Sequence, residues 1–118
     1  MSKPNELWYL LQTFAYHDGT LIVKQVLDNF KSEVGLSAYG VQNCDSQLRE
    51  ILQNDVKRLN SHLAKIFSVA DQAIVYDDTK DCYQTMFKTS VENRDSMKIS
   101  CKNYLLYLKS EILNPELN

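Results

Sequence analysis

The sequence predicts a mainly helical α+β domain: three helices, a β-hairpin and a long closing helix. Two observations lead to it. Apolar residues recur at helical spacing on both sides of residues 59–89. Within that stretch the spacing gives way to two β-favouring runs, KIFSVADQAIVY and CYQTMFKT, on either side of the polar turn Asp77-Asp78-Thr79-Lys80-Asp81. Ile74, Val75 and Tyr76 are β-branched or aromatic, and the DDTKD turn is a poor place to continue a helix. The alternative is an all-α bundle in which Ile66, Phe67 and Ala70 prolong the third helix, and it rests on spacing alone.

The first helix is expected over about 4–17, with Pro4 in its first turn and Leu7, Leu10, Leu11 and Phe14 as its stripe. Trp8 and Ala15 widen that stripe, and Asp18-Gly19 ends it. Thr20 is expected to cap a second helix, about 20–34, carrying Val23, Val26, Leu27, Phe30 and Val34 before Gly35. A loop follows whose Leu36, Tyr39 and Val41 are expected to pack back on the core. The third helix, about 45–64, takes Asp45 or Ser46 as its cap and has the strongest periodicity: Leu48, Ile51, Leu52, Val56, Leu59 and Leu63.

The hairpin is expected over about 65–89, its second strand alternating Tyr83, Thr85 and Phe87 against Gln84, Met86 and Lys88. Asn93 caps the last helix, about 92–113, whose stripe is Met97, Cys101, Tyr104, Leu105, Leu108 and Ile112, with Pro115 at its end. Residues 1–118 are read as a single domain.

Composition narrows the function classes. The chain is 44% hydrophobic and 24% charged, ordinary for a soluble globular domain. A net charge of −2 argues against a strongly basic nucleic-acid binder. Cys44, Cys82 and Cys101 are scattered and odd in number, which favours reduced thiols in an intracellular protein. Neither a signal peptide nor a membrane-length apolar window is expected.

Catalytic and metal chemistry find little footing. The cysteines and the two histidines, His17 and His62, lack the short spacing that pre-arranges a metal site. A Cys–His pair has no accompanying elbow or oxyanion loop, and three glycines supply no phosphate cradle. Asp77, Asp78 and Asp81 do not follow the calcium-loop pattern and read as a solvated turn. The expectation is a protein that is not an enzyme, with no cofactor, metal or small-molecule ligand.

Three helices followed by a hairpin make a winged-helix arrangement, which reads DNA by laying the third helix in the major groove. Candidate DNA contacts are Arg49, Lys57 and Arg58 on that helix, with Lys65 and Lys80 near the wing. Asp45, Glu50 and Asp55 share the helix, so much of the phosphate attraction is lost to its own carboxylates. Seven tyrosines are the compositional excess, and surplus tyrosine favours a protein-partner surface. The candidate partner surface is Trp8, Tyr9, Tyr16 and Tyr76, with burial in the core as the competing reading for Trp8.

Four stretches, LLQTFAYHDGTL, LNSHLAKIF, DDTKDCYQTMF and DSMKISCKNYLLYLKSEIL, in this element order resemble the first winged-helix domain of the non-SMC element 1 family. Those proteins are subunits of the SMC five–six chromosome-maintenance complex. The resemblance implies a nuclear scaffolding role in DNA repair and recombination, with the complex's MAGE-like winged-helix subunit and its kleisin as partners. The family's second winged helix and its RING-like zinc domain have no counterpart here. With no Cys-x-x-Cys pair in the chain, ubiquitin-ligase activity transfers to no residue. Two other readings compete: a DNA-binding winged helix, and an all-α adaptor or viral or host-interaction protein.

Overall fold

The computed structural model describes residues 6–34, 44–67, 72–91 and 93–113. Its elements run α1 (Glu6–Tyr16), β1 (Thr20–Ile22), α2 (Val23–Val34), α3 (Cys44–Phe67), β2 (Ile74–Asp77), β3 (Cys82–Thr85) and α4 (Arg94–Leu113). The fold is mainly helical, with a small antiparallel sheet in the order β1-β3-β2. The hairpin is present, with Ile74 opposite Thr85 and Asp77 opposite Cys82.

Three expectations are corrected. Thr20 does not cap a helix: Thr20–Ile22 is a strand, and Leu21 pairs with Tyr83 across a long sequence separation. The hairpin does not begin near residue 65, because α3 runs on to Phe67 and β2 starts only at Ile74. Ile66 follows the third helix by spacing, as the competing reading had it, yet it is 70% exposed. Asp45 lies inside the first turn of α3 rather than capping it, and its carboxylate pairs with Lys31 at 2.9 Å. Expectations for Pro4, the Val34 side chain, Gly35, the loop over 36–43, Ala70 and Pro115 lie outside the described residues.

The core follows the periodic stripes. Leu10 and Phe14 of α1, Phe30 of α2 and Leu108 of α4 are fully buried, with Leu48, Leu52, Val56, Leu59 and Leu63 of α3 beside them. Helices α1 and α4 share the most extensive helix–helix contact. Asn93 caps α4, its Oδ1 accepting from the Ser96 N–H at 3.1 Å. Leu21, Ile74 and Tyr83 seal the sheet against the helices.

How α1 ends determines where the sheet can sit. The Gly19 N–H donates to the Phe14 carbonyl at 2.7 Å, and the Asp18 N–H to that of Ala15 at 3.1 Å. This is a Schellman closure, with Asp18 at φ 58° in the left-handed position and Gly19 following at φ 88°. Gly19 then accepts from the Thr85 N–H at 2.8 Å, bringing β3 to the helix end. A Cβ on Gly19 would lie 2.5 Å from Thr85 Oγ1. Gly19→Ala is expected to destabilise the fold by about 1–3 kcal/mol, through clash and positive φ together. Asp18→Gly, which relieves a left-handed non-glycine residue, should cost nothing or stabilise slightly. Urea unfolding midpoints of the two variants check both statements.

Candidate functional site

Helix α3 presents chemistry on two sides. On one side Asp55 falls within the apolar stripe and is only 1% exposed. Its carboxylate accepts from the Tyr104 hydroxyl at 2.9 Å, the Tyr107 hydroxyl at 3.3 Å and Arg58 Nη1 at 3.2 Å. Arg58 Nη2 donates to Glu6 at 3.0 Å, so one network ties α1, α3 and α4. Burial pushes the Asp55 carboxyl above its ordinary range, against the pull of the tyrosine hydrogen bonds and of Arg58. The Tyr104 and Tyr107 phenols are also raised, first by burial and then by the Asp55 charge. A buried carboxylate held by three donors fixes the packing of three helices.

On the other side α3 grips the hairpin at two points. Arg49 makes a two-pronged ion pair with Asp81, at 2.9 and 2.6 Å, and the Tyr76 hydroxyl donates to the same carboxylate. Arg49 and Tyr76 hold the Asp81 carboxyl down at about 2. Asp81 itself is left-handed at φ 52°, and its carbonyl accepts from the Val23 N–H at 3.1 Å. Asp77 organises the turn by accepting from the amides of Thr79 and Lys80 at 3.0 and 3.3 Å. About three turns further along α3, the Asn60 side chain donates to the Ile74 carbonyl at 2.9 Å and accepts from its N–H at 2.8 Å.

Between these grips lies a groove of about 350 Å³. Its apolar lining comes from Val23, Leu52, Val56, Ile74 and Tyr83. Arg49, Gln53, Lys57, Asn60, Gln72 and Tyr76 supply the polar lining. This groove is the candidate site. It combines apolar surface, amide side chains and two cations, with no carboxylate among the described residues that line it.

The structure distributes the sequence-predicted residues unevenly. Trp8 is 54% exposed on α1, and Tyr9 beside it packs partly against the core. Tyr16 is half-buried at the end of α1, its ring covered by the Arg94 guanidinium at 4.4 Å and met edge-on by His17. Tyr76 sits on β2, 47% exposed, its ring 5.0 Å from that of Tyr83. The four aromatics therefore do not form one patch: three lie along α1 and one on the hairpin. Of the candidate DNA contacts, Arg49 and Lys57 line the groove, whereas Arg58 is turned toward Glu6 and Asp55. Lys65 is exposed on the last turn of α3, and Lys80 is exposed in the hairpin turn.

Cys44 and Cys82 are buried and Cys101 is half-buried; burial raises all three thiols. Among the described residues, no three His, Cys, Asp or Glu side chains group closely enough to hold a metal ion. Nor is any described helix long and apolar enough to cross a membrane.

Sequence reasoning passed over Asp55, Asn60 and Asp81 as functional positions. Asp55 had a readable signal, since it stands between Leu52 and Leu59 at helical spacing on the buried face. Asn60 and Asp81 had none, because Ile74 and Arg49, the partners on the other side of the groove, are distant from them in sequence. Comparison of the chain with models of protein families, with curated proteins and with solved structures finds no match.

The two carboxylates impose pH dependences of opposite sign. Asp81 is depressed, so its contribution is present at neutral pH and is lost as acid passes from the ordinary carboxylate value of 3.8 down through about 2. Asp55 is raised, so it favours the fold below the ordinary value and costs stability as pH climbs through its folded value. Asp55→Asn is expected to flatten the loss of stability as pH rises above the ordinary carboxylate value, and Asp81→Asn to flatten the loss below about pH 4. Tyr104→Phe removes one of the three donors and should cost about 1–3 kcal/mol. Denaturant midpoints measured across pH for each variant test all three.

Proposed function

We propose that this chain is a winged-helix domain acting as a non-catalytic protein-interaction module. The observation that carries the reading is connectivity: α1-β1-α2-α3 leads into the β2–β3 hairpin, and β1 pairs back onto β3. That is the order in which winged-helix domains assemble their sheet around a helix-turn-helix core. With the resemblance of DDTKDCYQTMF and the α4 sequence to the non-SMC element 1 family, it favours a subunit role in the SMC five–six complex. On this reading the chain is nuclear and scaffolds DNA repair and recombination, with the MAGE-like winged-helix subunit and the kleisin as its partners. Trp8, more than half exposed on α1, is the side chain best suited to anchor such a contact.

A DNA-binding role is the second reading, favoured by exposed Lys57, Lys65 and Lys80. It is weakened by what the arginines do. Arg49 is engaged by Asp81, and Arg58 by Glu6 and Asp55, so a phosphate would have to displace carboxylates already in place.

Titration with the MAGE-like subunit is expected to give a stable complex that Trp8→Ala weakens by about tenfold or more, with the unfolding midpoint unchanged. No complex with folded protein would remove the family assignment. A short DNA duplex should bind weakly. Tight, steeply salt-dependent binding that Lys57→Glu abolishes would instead favour the second reading.

A further inference from the structure

We propose that the groove between α3 and β2 receives an extended, acidic peptide segment of a partner protein, adding to the sheet edge at Tyr76 and pairing with Lys57. This rests on the protein-interaction reading and gives it a place and a chemistry.

The sheet order leaves β2 at an edge. The Met86 N–H donates to the Ala73 carbonyl at 2.7 Å, so Ala73 faces β3 and Ile74 turns its N–H and carbonyl outward. Both outward groups of Ile74 are taken by the Asn60 amide, which offers one donor and one acceptor as a neighbouring strand would. Backbone direction repeats every second residue, so the N–H and carbonyl of Tyr76 point out of the same edge. No described residue hydrogen-bonds them. The edge is thus filled at one position by a side chain imitating a strand, and open at the next.

That open position borders the groove. A strand added there would lay alternate side chains over the groove floor formed by Leu52, Val56, Ile74 and Tyr83, core side chains each 8% exposed or less. Intervening and flanking side chains would meet Gln53, Gln72 and Lys57. Among the described residues the lining holds two cations and no carboxylate, in a chain whose net charge is −2. Arg49 is already answered by Asp81, whereas Lys57 forms no ion pair among the described residues. The unmatched charge therefore calls for an acidic side chain on the incoming segment. An outward amide–carbonyl pair above an apolar floor suits a peptide backbone. A phosphate backbone would draw its affinity from several unpaired cations instead.

The test is selection of a randomised short-peptide library, displayed on phage, against the folded chain and against Lys57→Glu. Selected peptides are expected to carry aliphatic residues at alternate positions with aspartate or glutamate nearby. They should bind the unaltered chain about tenfold or more tightly than Lys57→Glu, and shift the backbone amide resonances of Tyr76 and Gln53. Lys57 is exposed, so the variant should fold, and matching unfolding midpoints check that. The proposal is overturned if no peptide is selected, if the selected peptides bind both proteins equally, or if they shift Trp8 instead of the groove. It is also overturned if a DNA duplex moves the groove resonances and the peptides do not. A MAGE-like subunit that binds Lys57→Glu as well as the unaltered chain sinks the groove assignment and leaves the interaction role standing. Acidic peptides seated in the groove without any MAGE-like complex would leave the groove and sink the family assignment.

Discussion

The arrangement of this domain depends on one residue held from several directions, Asp81. Its carboxylate receives Arg49 from α3 and Tyr76 from β2, while its carbonyl receives the first amide of α2. A left-handed backbone at the end of the hairpin turn lets both groups be used at once. Three elements, α2, α3 and β2, are thereby fixed against one another. Asn60 supplies the second point, and two points are enough to set the angle of the hairpin against α3. The groove is the space that this angle leaves.

The two carboxylates of α3 and the hairpin show how environment, rather than residue type, decides electrostatic character. Asp81 is partly open to solvent and meets a guanidinium in two-pronged geometry, which favours its charge. Asp55 is buried, and the cost of desolvation outweighs its hydrogen bonds to tyrosine and to Arg58. Glu6, joined through Arg58, adds negative charge to the same neighbourhood. Asp55 is thus a polar specificity point for helix packing, with every donor accounted for, while Asp81 is a clamp.

The helices were readable because their apolar spacing carries its own answer. Leu48, Leu52, Val56, Leu59 and Leu63 mark α3, and Asn93 marks the start of α4 by its own side chain. Strand β1 could not be read in this way. Thr20–Ile22 is too short for periodicity, and it is a strand only because β3 lies beside it. The end of α3 misled for the opposite reason: Ile66 keeps the helical spacing and is in the helix, yet it is exposed, so β-favouring composition nearby did not mean the end of the helix. In the groove, Lys57 was legible as a basic residue on the third helix. The pairing of Arg49 with Asp81 was not, since nothing local relates them. Arg58 differs from Lys57 in role through a single step around the helix, which places it against Glu6 rather than beside the hairpin.

The pairing of β1 with β3 has a consequence for how the chain acquires its shape. Thr20 lies opposite Gln84, with α2, α3, β2 and the hairpin turn in the intervening chain. A helix or the β2–β3 hairpin can form from neighbours, but the three-stranded sheet requires closure of that long loop. During synthesis, β1 emerges early and waits, as an unpaired segment, until β3 has left the ribosome. Helix α4, which covers α1, follows later still. The last of these helices therefore completes the burial of the first.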